Sequence, residues 1–299
     1  MTNKLRIETD EAILIAGPTA SGKSRLALDL AIRAGGEVIN ADSMQVYAIL
    51  NVLTARPEVA DLAAAPHHLY GHVQPGTAFS TGIWLAEAQA AIADVRARGR
   101  LPVVVGGTGL YFRALAGGLS DIPAIPDAIR AHWRDRLEID GAPALHAHLA
   151  LRDPDMAARL KPADRQRIVR SLEVMDATGR SIAKFQARQG SPVVDFARAQ
   201  RLLLLPDRAE LHRRINVRFA RMVEEGALEE VKALNSKGIP PHSPAMKAIG
   251  VAQLSAVLAG KMPIEEAIDK ATAATRQYAK RQMTWFRNQL DTDWTMLDC

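Results

Sequence analysis

One eight-residue stretch constrains the fold of this chain more than any other, because it joins a glycine-rich turn to a lysine and a serine. Residues 17–24 read GPTASGKS and fit the pattern G-x-x-x-x-G-K-[ST]. The apolar run AILIA at residues 12–16 precedes it and predicts a buried strand. Gly22–Arg33 follows with apolar residues at helical spacing. Strand, turn and helix in this order are the context of a phosphate-binding loop.

In such a loop, glycines let backbone N–H groups converge on phosphate oxygens, and the helix N-terminus adds positive potential. We expect Lys23 to contact the terminal phosphate and Ser24 to bind Mg²⁺, the cofactor that this loop implies. The remaining members of the predicted diphosphate-binding loop are Gly17, Pro18, Thr19, Ala20, Ser21 and Gly22.

The identity of the phosphate compound is left open by the loop itself. A P-loop NTPase normally places an acid at the end of an apolar strand, where it holds the metal and its water. Here the apolar run LPVVV at residues 101–105 ends in Gly106 and Gly107, and the nearest candidate acid is Asp42. This arrangement is compatible with a diphosphate whose bond to carbon, rather than to phosphorus, is broken.

Short apolar runs alternate with helical patterns along much of the chain. Val38-Ile39, Leu101–Val105 and Leu202–Leu205 predict strands, and Trp84–Arg98 and Ala209–Glu225 predict helices. We therefore predict an α/β fold, a P-loop NTPase-like core with a parallel sheet.

Between residues 119 and 200 the sequence pattern changes. The short apolar runs that predict strands disappear, and helical patterns rich in His, Arg and Asp replace them. We interpret residues 119–200 as a mostly helical insertion domain. Residues 1–118 and 201–299 then form the core domain, whose C-terminal part, from Pro244 to Leu290, is helical.

Composition excludes several classes of protein. The 299 residues are 48% hydrophobic and 24% charged, which is typical of a soluble globular chain of about two domains. The single cysteine, Cys299, excludes an intrachain disulfide and a cysteine-rich zinc site. The first residues do not resemble a targeting peptide, and no apolar run approaches the roughly 20 residues that span a bilayer. We expect a cytoplasmic protein with no membrane association, and its net charge of +5 favours a polyanionic partner.

Several stretches, taken together and in this order, resemble the tRNA dimethylallyltransferase (isopentenyltransferase) family. They are Gly17–Ser24, Asn40–Tyr47, Pro66–Leu69, Val105–Tyr111, Asp164–Gly179 and Thr275–Arg287. The resemblance implies a P-loop α/β core with a helical insertion that binds tRNA. It also implies transfer of a dimethylallyl group from dimethylallyl diphosphate to N6 of adenosine 37, beside the anticodon.

The resemblance assigns roles at the reaction centre. Adenine's exocyclic amine is a poor nucleophile, so a carboxylate within hydrogen-bond reach can act as its base, and the resemblance gives this role to Asp42. Asp42 is otherwise a solvated loop residue or a metal-shell ligand. Thr108, on the glycine-rich turn after a strand, is expected to contact the substrates, and is otherwise an ordinary turn threonine. Arg218 matches a family arginine near the diphosphate, although it and its neighbouring arginines also fit a solvated helix face.

The tRNA-binding residues that the resemblance implies lie in both predicted domains. They are Asp42, Ser43, Met44, Gln45, Thr108, Arg130, Gln166, Arg167, Ile168, Val169 and Arg170. Residues 151–190 contain nine basic and five acidic side chains, so part of the positive excess lies in the insertion. On a helix, Gln166 and Arg170 share one face, which suits phosphates and a base edge, while Ile168 and Val169 belong to an apolar face. An ion-paired surface helix is the alternative.

The C-terminal pattern adds a second cationic face. Arg276, Lys280 and Arg287 fall within roughly 40° of one another on a helix. The neighbouring Trp285 and Phe286 suit either single-stranded RNA or the core.

Two positions depart from the commoner family pattern: Arg56 stands in place of a lysine and Val251 in place of a tyrosine. Two classes of function compete with the family reading, a P-loop small-molecule kinase and an RNA-binding P-loop protein without catalysis. The sequence does not reveal the oligomeric state, and a monomer is our default expectation. We expect the adjacent His67 and His68 to be structural.

Overall fold

One parallel sheet organises the larger part of the molecule. The computed structural model describes residues 5–120, 122–187, 190–241 and 243–297, so Arg188 and Cys299, counted above, lie outside it. The sheet is six-stranded with the order β3-β2-β4-β1-β5-β6, which confirms the predicted α/β class. Its strands are β1 (Ile13–Ala16), β2 (Glu37–Asn40), β3 (His67–His68), β4 (Pro102–Gly106), β5 (Gln200–Leu204) and β6 (Thr295–Leu297).

Helices connect and cover the strands. They are α1 (Lys23–Ala34), α2 (Val59–Ala64), α3 (Thr81–Ala97), α4 (Gly109–Leu115), α5 (Asp127–Arg152), α6 (Pro154–Ala158), α7 (Arg165–Thr178), α8 (Ile182–Gln186), α9 (Arg208–Glu224), α10 (Ala227–Asn235), α11 (Val251–Leu258) and α12 (Ile264–Gln289). A short 3₁₀ helix, Pro244–Lys247, precedes α11. Within the described residues, no helix is long and apolar enough to cross a membrane.

The central strands are apolar throughout because the sheet is covered on both faces. Every residue of β1 and β4 is buried. Leu26 and Leu30, on one side of α1, pack with Ile15 and Val103 in the same core cluster. Burying each such side chain stabilises the fold by about 1.5–3 kcal/mol. The helix ends at Gly35, whose φ of 59° is the left-handed conformation that favours glycine at a helix C-terminus.

The chain divides into two compact units. Unit 1 comprises Met1–Ala116 and Val193–Cys299, and unit 2 comprises Gly117–Pro192. Residues 193–200, which we predicted to be part of the insertion, therefore lie in unit 1. The reason is a set of backbone contacts: the N–H of Val193 donates to the carbonyl of Leu115 at 2.9 Å, and the N–H of Gln200 donates to the carbonyl of Ala12 at 3.0 Å.

Unit 2 is a helical body built from α5, α6, α7 and α8. Its core includes Trp133, Leu149 and Leu172, all buried. The indole N–H of Trp133 donates to Asp176 at 2.7 Å, and Arg152 forms an ion pair with the same carboxylate at 2.6 Å. These two bonds connect α5 to α7. Unit 2 therefore combines an apolar core of its own with polar bonds between its helices.

Candidate active site

Three adjacent strands deliver the candidate catalytic residues to one edge of the sheet. β4 pairs with both β2 and β1, and all three run parallel. Asp42 follows β2, Thr108 follows β4, and the glycine-rich loop follows β1. The carboxyl ends of parallel strands are where α/β proteins bind ligands. The three sequence-predicted groups therefore meet at the edge where a ligand is expected.

The loop over residues 17–24 has the backbone of a tight anion-binding turn. Gly22 has a φ of 89°, a left-handed conformation that favours glycine, and directly precedes α1. A Cβ on Gly17 would lie 2.8 Å from the Ser21 hydroxyl and 3.0 Å from the Leu204 carbonyl, so a side chain there would force its neighbours to shift. The Nζ of Lys23 donates to the carbonyl of Pro18 at 3.2 Å. The lysine thus folds back over the loop that it follows.

Two arginines of α9 face this loop. Arg218 donates to the Thr19 hydroxyl at 3.3 Å, and Arg214 donates to the Ser21 carbonyl at 3.4 Å. Arg213 and Arg221, on the same helix, instead pair with glutamates and remain exposed. The helix is therefore not uniformly a solvated cationic face, because Arg218 lies against the diphosphate-loop candidate.

The two cations at this edge, Lys23 and Arg218, have pKa values below the ordinary values for their side chains. Burial lowers the pKa of Lys23 to about 8; the positive charge of Arg218 adds to this effect, and the Asp42 carboxylate opposes it. Burial also lowers the pKa of Arg218, again opposed by Asp42. Two desolvated cations next to one carboxylate make a site that gains stability when a further anion enters.

Asn40 clamps the backbone that carries Asp42. Its side-chain oxygen accepts the N–H of Asp42 at 2.8 Å. Its amide nitrogen donates to the carbonyls of Asp42 and Leu69, each at 3.0 Å. Asn40 is fully buried, and Trp84 donates its indole N–H to the Asn40 carbonyl at 2.9 Å. Asn40 opens the family-like stretch Asn40–Tyr47, but no local sequence pattern predicts that it clamps this turn.

The Asp42 carboxylate is oriented through one oxygen. Oδ1 accepts the N–H of Met44 at 2.9 Å, an interaction within the same turn. Oδ2 lies toward Gly107, where an added Cβ would stand 3.4 Å from it. Among the described residues, no hydrogen bond reaches Oδ2. One carboxylate oxygen is thus fixed and the other is available to accept a proton.

Thr108 is joined to the same turn. Its hydroxyl accepts the N–H of Ser43 at 3.0 Å, and its own N–H donates to the carbonyl of Ala41 at 3.2 Å. The approach is close, because a Cβ on Gly106 would lie 2.0 Å from the Ala41 carbonyl oxygen. Thr108 and Asp42 therefore belong to one hydrogen-bonded unit formed by the ends of β2 and β4.

The negative charge of Asp42 affects the pKa of three tyrosines. Burial, followed by the negative charge of Asp42, raises the pKa of Tyr70, Tyr111 and Tyr278 well above the ordinary tyrosine value. Their hydroxyls therefore remain protonated at neutral pH. Tyr111 stacks on Trp84 with the rings 3.9 Å apart and nearly parallel. Tyr111 ends the family-like stretch Val105–Tyr111, but its sequence position does not predict this role.

A loop behind the Asp42 turn is held at both ends by side chains. Gln45 donates its amide to the carbonyls of Thr54 and Ala55 at 3.0 and 2.9 Å. The Glu230 carboxylate of α10 accepts three consecutive N–H groups, at residues 51–53. This loop forms one wall of a cavity of about 270 Å³, whose opposite wall includes Arg218.

The two departures from the family pattern have definite places. The guanidinium of Arg56 donates to the Tyr47 carbonyl and to Asn51, and Gly71 leaves room for it, since a Cβ there would overlap Arg56. Val251 begins α11 and is buried. Both residues therefore serve packing in unit 1.

The predicted tRNA-binding residues of unit 2 separate into two groups. Gln166 and Arg167 are exposed, and Arg170 forms an ion pair with Glu173 at 3.3 Å. Ile168 and Val169 are buried in the unit 2 core, where their side chains pack and hold α7 in place.

Arg130 lies in the first turn of α5, also in unit 2. Its Nε is buried and, among the described residues, has no hydrogen-bond partner.

The C-terminal helix α12 presents a mixed surface. Lys280, Arg281 and Trp285 help to line a cavity of about 520 Å³, and the Arg281 guanidinium lies 5.7 Å from the centre of the Tyr278 ring. Phe286 is buried, which places one of the two predicted aromatics in the core. Trp285 packs on Gly109, where a Cβ would overlap its ring.

The two histidines of β3 bond to protein groups and do not belong to a set of metal ligands within the described residues. His68 bonds to Glu37 at 2.6 Å, and His67 bonds to the Ala65 carbonyl at 2.8 Å. Across the described part of the chain, no group of three or more His, Cys, Asp or Glu side chains is arranged to hold a metal. Ser24, which we expect to bind Mg²⁺, is exposed at the start of α1.

Comparison with known families agrees with this geometry. Residues 45–289 match the model of the family described as IPP transferase, and residues 10–71 match isopentenyl transferase. A protein named tRNA dimethylallyltransferase from Allorhizobium ampelinum is 59% identical over 288 residues, which are 96% of this chain and 95% of that protein.

Solved structures show the same relationship. The full-length tRNA isopentenylpyrophosphate transferase of Bacillus halodurans is 36% identical, with a TM-score of 0.68, and the match covers 97% of this chain and 90% of that one. A eukaryotic dimethylallyltransferase acting on tRNA is 31% identical, with a TM-score of 0.83, over 96% of this chain and 73% of that one. This chain belongs to the tRNA dimethylallyltransferase family.

Proposed function

We propose that this protein transfers a dimethylallyl group from dimethylallyl diphosphate to N6 of adenosine 37 in tRNA, releasing diphosphate. One observation carries the assignment of roles. The free carboxylate oxygen of Asp42 lies in the same hydrogen-bonded unit as Thr108, at the sheet edge that also holds Lys23 and Arg218. Such an edge holds a base for the amine and cations for the leaving group.

Bond formation and bond cleavage depend on different residues of this arrangement. The N6 lone pair forms a bond to the allylic carbon while the carbon–oxygen bond to diphosphate breaks, and that electron pair leaves on the diphosphate oxygen. The amine proton passes to Oδ2 of Asp42, because Oδ1 is already engaged by the Met44 amide. Thr108, held by its bond from Ser43, stands at the turn where the two reactants meet.

The diphosphate gains negative charge as it leaves, so groups that bind anions stabilise the transition state most. Lys23, Arg218 and the backbone N–H groups of residues 22–24, at the start of α1, provide those groups. Mg²⁺ fits the donor set, because Mg²⁺ keeps several waters and binds mainly to substrate phosphates with one or two protein oxygens. The Ser24 hydroxyl would hold it, and the ion would neutralise part of the diphosphate charge.

The tRNA anticodon stem-loop is the proposed second substrate. N6 of a stacked base is inaccessible, so the nucleotide must leave its stack, which is easiest in a single-stranded loop. Asp42–Gln45 lies at the reaction centre, and Gln166, Arg167, Arg170 and Arg130 are the proposed contacts of unit 2. A tRNA substrate is consistent with a cytoplasmic location, and we propose that the protein acts as a monomer.

The test is an assay for the modified base. Unmodified tRNA and dimethylallyl diphosphate are incubated with the protein, and the digested tRNA is analysed for N6-dimethylallyladenosine. Asp42→Asn should reduce kcat by about 100-fold or more while tRNA binding persists, because the amide cannot accept the proton. Asp269→Asn, an exposed aspartate on α12, is the matched control.

Three results would contradict the proposal. Absence of the product with folded wild-type protein removes the transferase function. Unchanged turnover in Asp42→Asn removes Asp42 from the role of base. Consumption of ATP that depends on a small acceptor, without allyl transfer, indicates a kinase instead.

A further inference from the structure

Gln282 of α12 bonds to two loops of the candidate active site at once. Its Oε1 accepts the N–H of Thr19 at 2.9 Å, and its Nε2 donates to the carbonyl of Gly107 at 2.8 Å. Gln282 is buried, with 6% of the residue exposed. Both halves of the amide are therefore engaged, and their orientation is fixed by the chemistry of the partners.

The two partners of Gln282, Thr19 and Gly107, lie in loops with different proposed roles in the reaction. Thr19 is in the loop proposed to bind diphosphate, and its hydroxyl accepts a hydrogen bond from Arg218. Gly107 directly precedes Thr108 and faces Oδ2 of Asp42. Gln282 thus connects the loop for the leaving group to the turn for the attacking amine.

The Gln282 amide packs so closely on Gly107 that a side chain at position 107 would overlap it. A Cβ on Gly107 would lie 2.3 Å from Nε2 of Gln282. A methionine at position 282 would fill similar space, but it offers no donor and only a weak acceptor. Packing alone would accept either side chain, so the buried amide is explained by its two hydrogen bonds.

We propose that Gln282 is a positioning residue that holds the diphosphate loop and the Thr108 turn at the separation that the transfer reaction requires. This inference rests on the proposed function. The carbon that moves is bonded to diphosphate at the start and to N6 at the end, so the spacing of the two loops sets the distance it spans. A displacement of about 1 Å at a reaction centre can cost about 100-fold in rate.

The first test removes both hydrogen bonds. Gln282→Met should lower kcat by about 10- to 100-fold and raise KM for dimethylallyl diphosphate, because the loops lose their common support. The Kd for tRNA in the absence of donor should stay within about twofold of wild type. Gln89→Met, the same change at an exposed position of α3, is the control and should match wild type. Thermal unfolding of each variant reports on folding.

The second test uses the chemistry of a protonated carboxyl group. In Gln282→Glu, a charged carboxylate accepts from Thr19 but cannot donate to Gly107, whereas the protonated acid can do both. The ratio of variant to wild-type kcat/KM for the donor should therefore rise several-fold as pH falls from 8 to 5.5. Asp42, Lys23 and Arg218, the charged groups of the site, are present in both proteins, so the ratio to wild type at each pH reports what the substitution at position 282 adds.

The outcomes are separable. Wild-type protein without product refutes the proposed function, and this inference with it. Active wild type with an unimpaired Gln282→Met refutes only the positioning role. If Gln282→Met does not fold, the glutamate variant decides: a ratio that does not change with pH overturns the inference. A loss of tRNA affinity with unchanged donor KM also overturns it, since that would assign Gln282 to the RNA surface.

Discussion

At the scale of single residues, the charge state of Lys23 links the structure to pH. Burial and the nearby Arg218 lower the pKa of Lys23 to about 8, while Asp42 partly restores it. The depressed pKa means that the cationic form is present below pH 8 and is lost as pH rises through that value. Since the cation is the form that attracts diphosphate, the free protein should lose donor affinity in the same range.

We predict that kcat/KM for dimethylallyl diphosphate falls above about pH 8, because this parameter reports the ionisations of the free enzyme. At saturating donor, kcat should fall less, since bound diphosphate favours protonated Lys23. The measurement is a pH profile from 6 to 10. In Lys23→Arg, whose guanidinium stays charged throughout, activity should be lower but the decline near pH 8 should be absent. A wild-type profile without a decline up to pH 10 would contradict the prediction.

Sequence patterns predicted the charged residues of the site and the phosphate-binding loop. They did not predict the residues that hold these groups in position. Lys23 and Asp42 stand in recognisable patterns. Asn40 bonds to Leu69, and Gln282 bonds to Thr19, a residue 263 positions away. Hydrogen bonds over such separations depend on strand order and helix packing, which local patterns do not encode. Arg218 was ambiguous for the same reason, because helical periodicity cannot say which of its neighbours faces a loop from another part of the chain.

At the scale of elements, α10 fixes the loop behind the Asp42 turn through one carboxylate. Glu230 accepts the N–H groups of Asn51, Val52 and Leu53 at 2.9, 2.7 and 3.0 Å. Charge-assisted hydrogen bonds of this kind are roughly twice as strong as neutral ones. The loop is also a wall of the cavity that Arg218 lines, so its order contributes to the shape of that cavity.

We predict that Glu230→Gln loosens this loop. The amide removes the charge and places a donor opposite one of the three N–H groups, which should cost about 1–3 kcal/mol locally. Hydrogen exchange of the amides at residues 51–53 should accelerate about 10-fold or more. Glu229→Gln, at an exposed neighbouring position on the same helix, should leave exchange unchanged. Equal exchange in the two variants would show that other contacts order the loop.

Elements with strong patterns were predictable, and short edge strands were not. The runs that became β1, β4 and β5 are apolar and continuous, as buried parallel strands are. β3 and β6 have two and three residues, are partly exposed, and lie at the two edges of the sheet. Their strand conformation comes from pairing with an existing neighbour rather than from their own composition, so no local pattern reveals them.

At the scale of the whole molecule, the net charge of +5 must be weighed against ion pairing. In unit 2, Arg152, Arg165, Arg167 and Arg170 all pair with carboxylates. The pairs of Arg165 and Arg167 are the more exposed ones, and such pairs contribute only about 0–1 kcal/mol, so a phosphate can replace their carboxylates at little cost. The partners of Arg152 and Arg170 are more buried. Ion pairing therefore leaves Arg165 and Arg167 available to a phosphate. Arg167 shows this most clearly, because its side chain is 74% exposed and 3.4 Å from Asp164.

We predict that tRNA binding depends steeply on salt and that Arg167 accounts for part of the slope. Each phosphate contact releases counterions, so Kd should rise about tenfold or more between 50 and 200 mM salt. Arg167→Gln should weaken binding similarly for all tRNAs and reduce the slope of log Kd against log salt by about 1. Arg198→Gln is the matched control, since Arg198 is an exposed arginine of unit 1 paired with Asp10 at 2.8 Å. A flat salt response, or the same change of slope in both variants, would remove the RNA-binding role from this surface of α7.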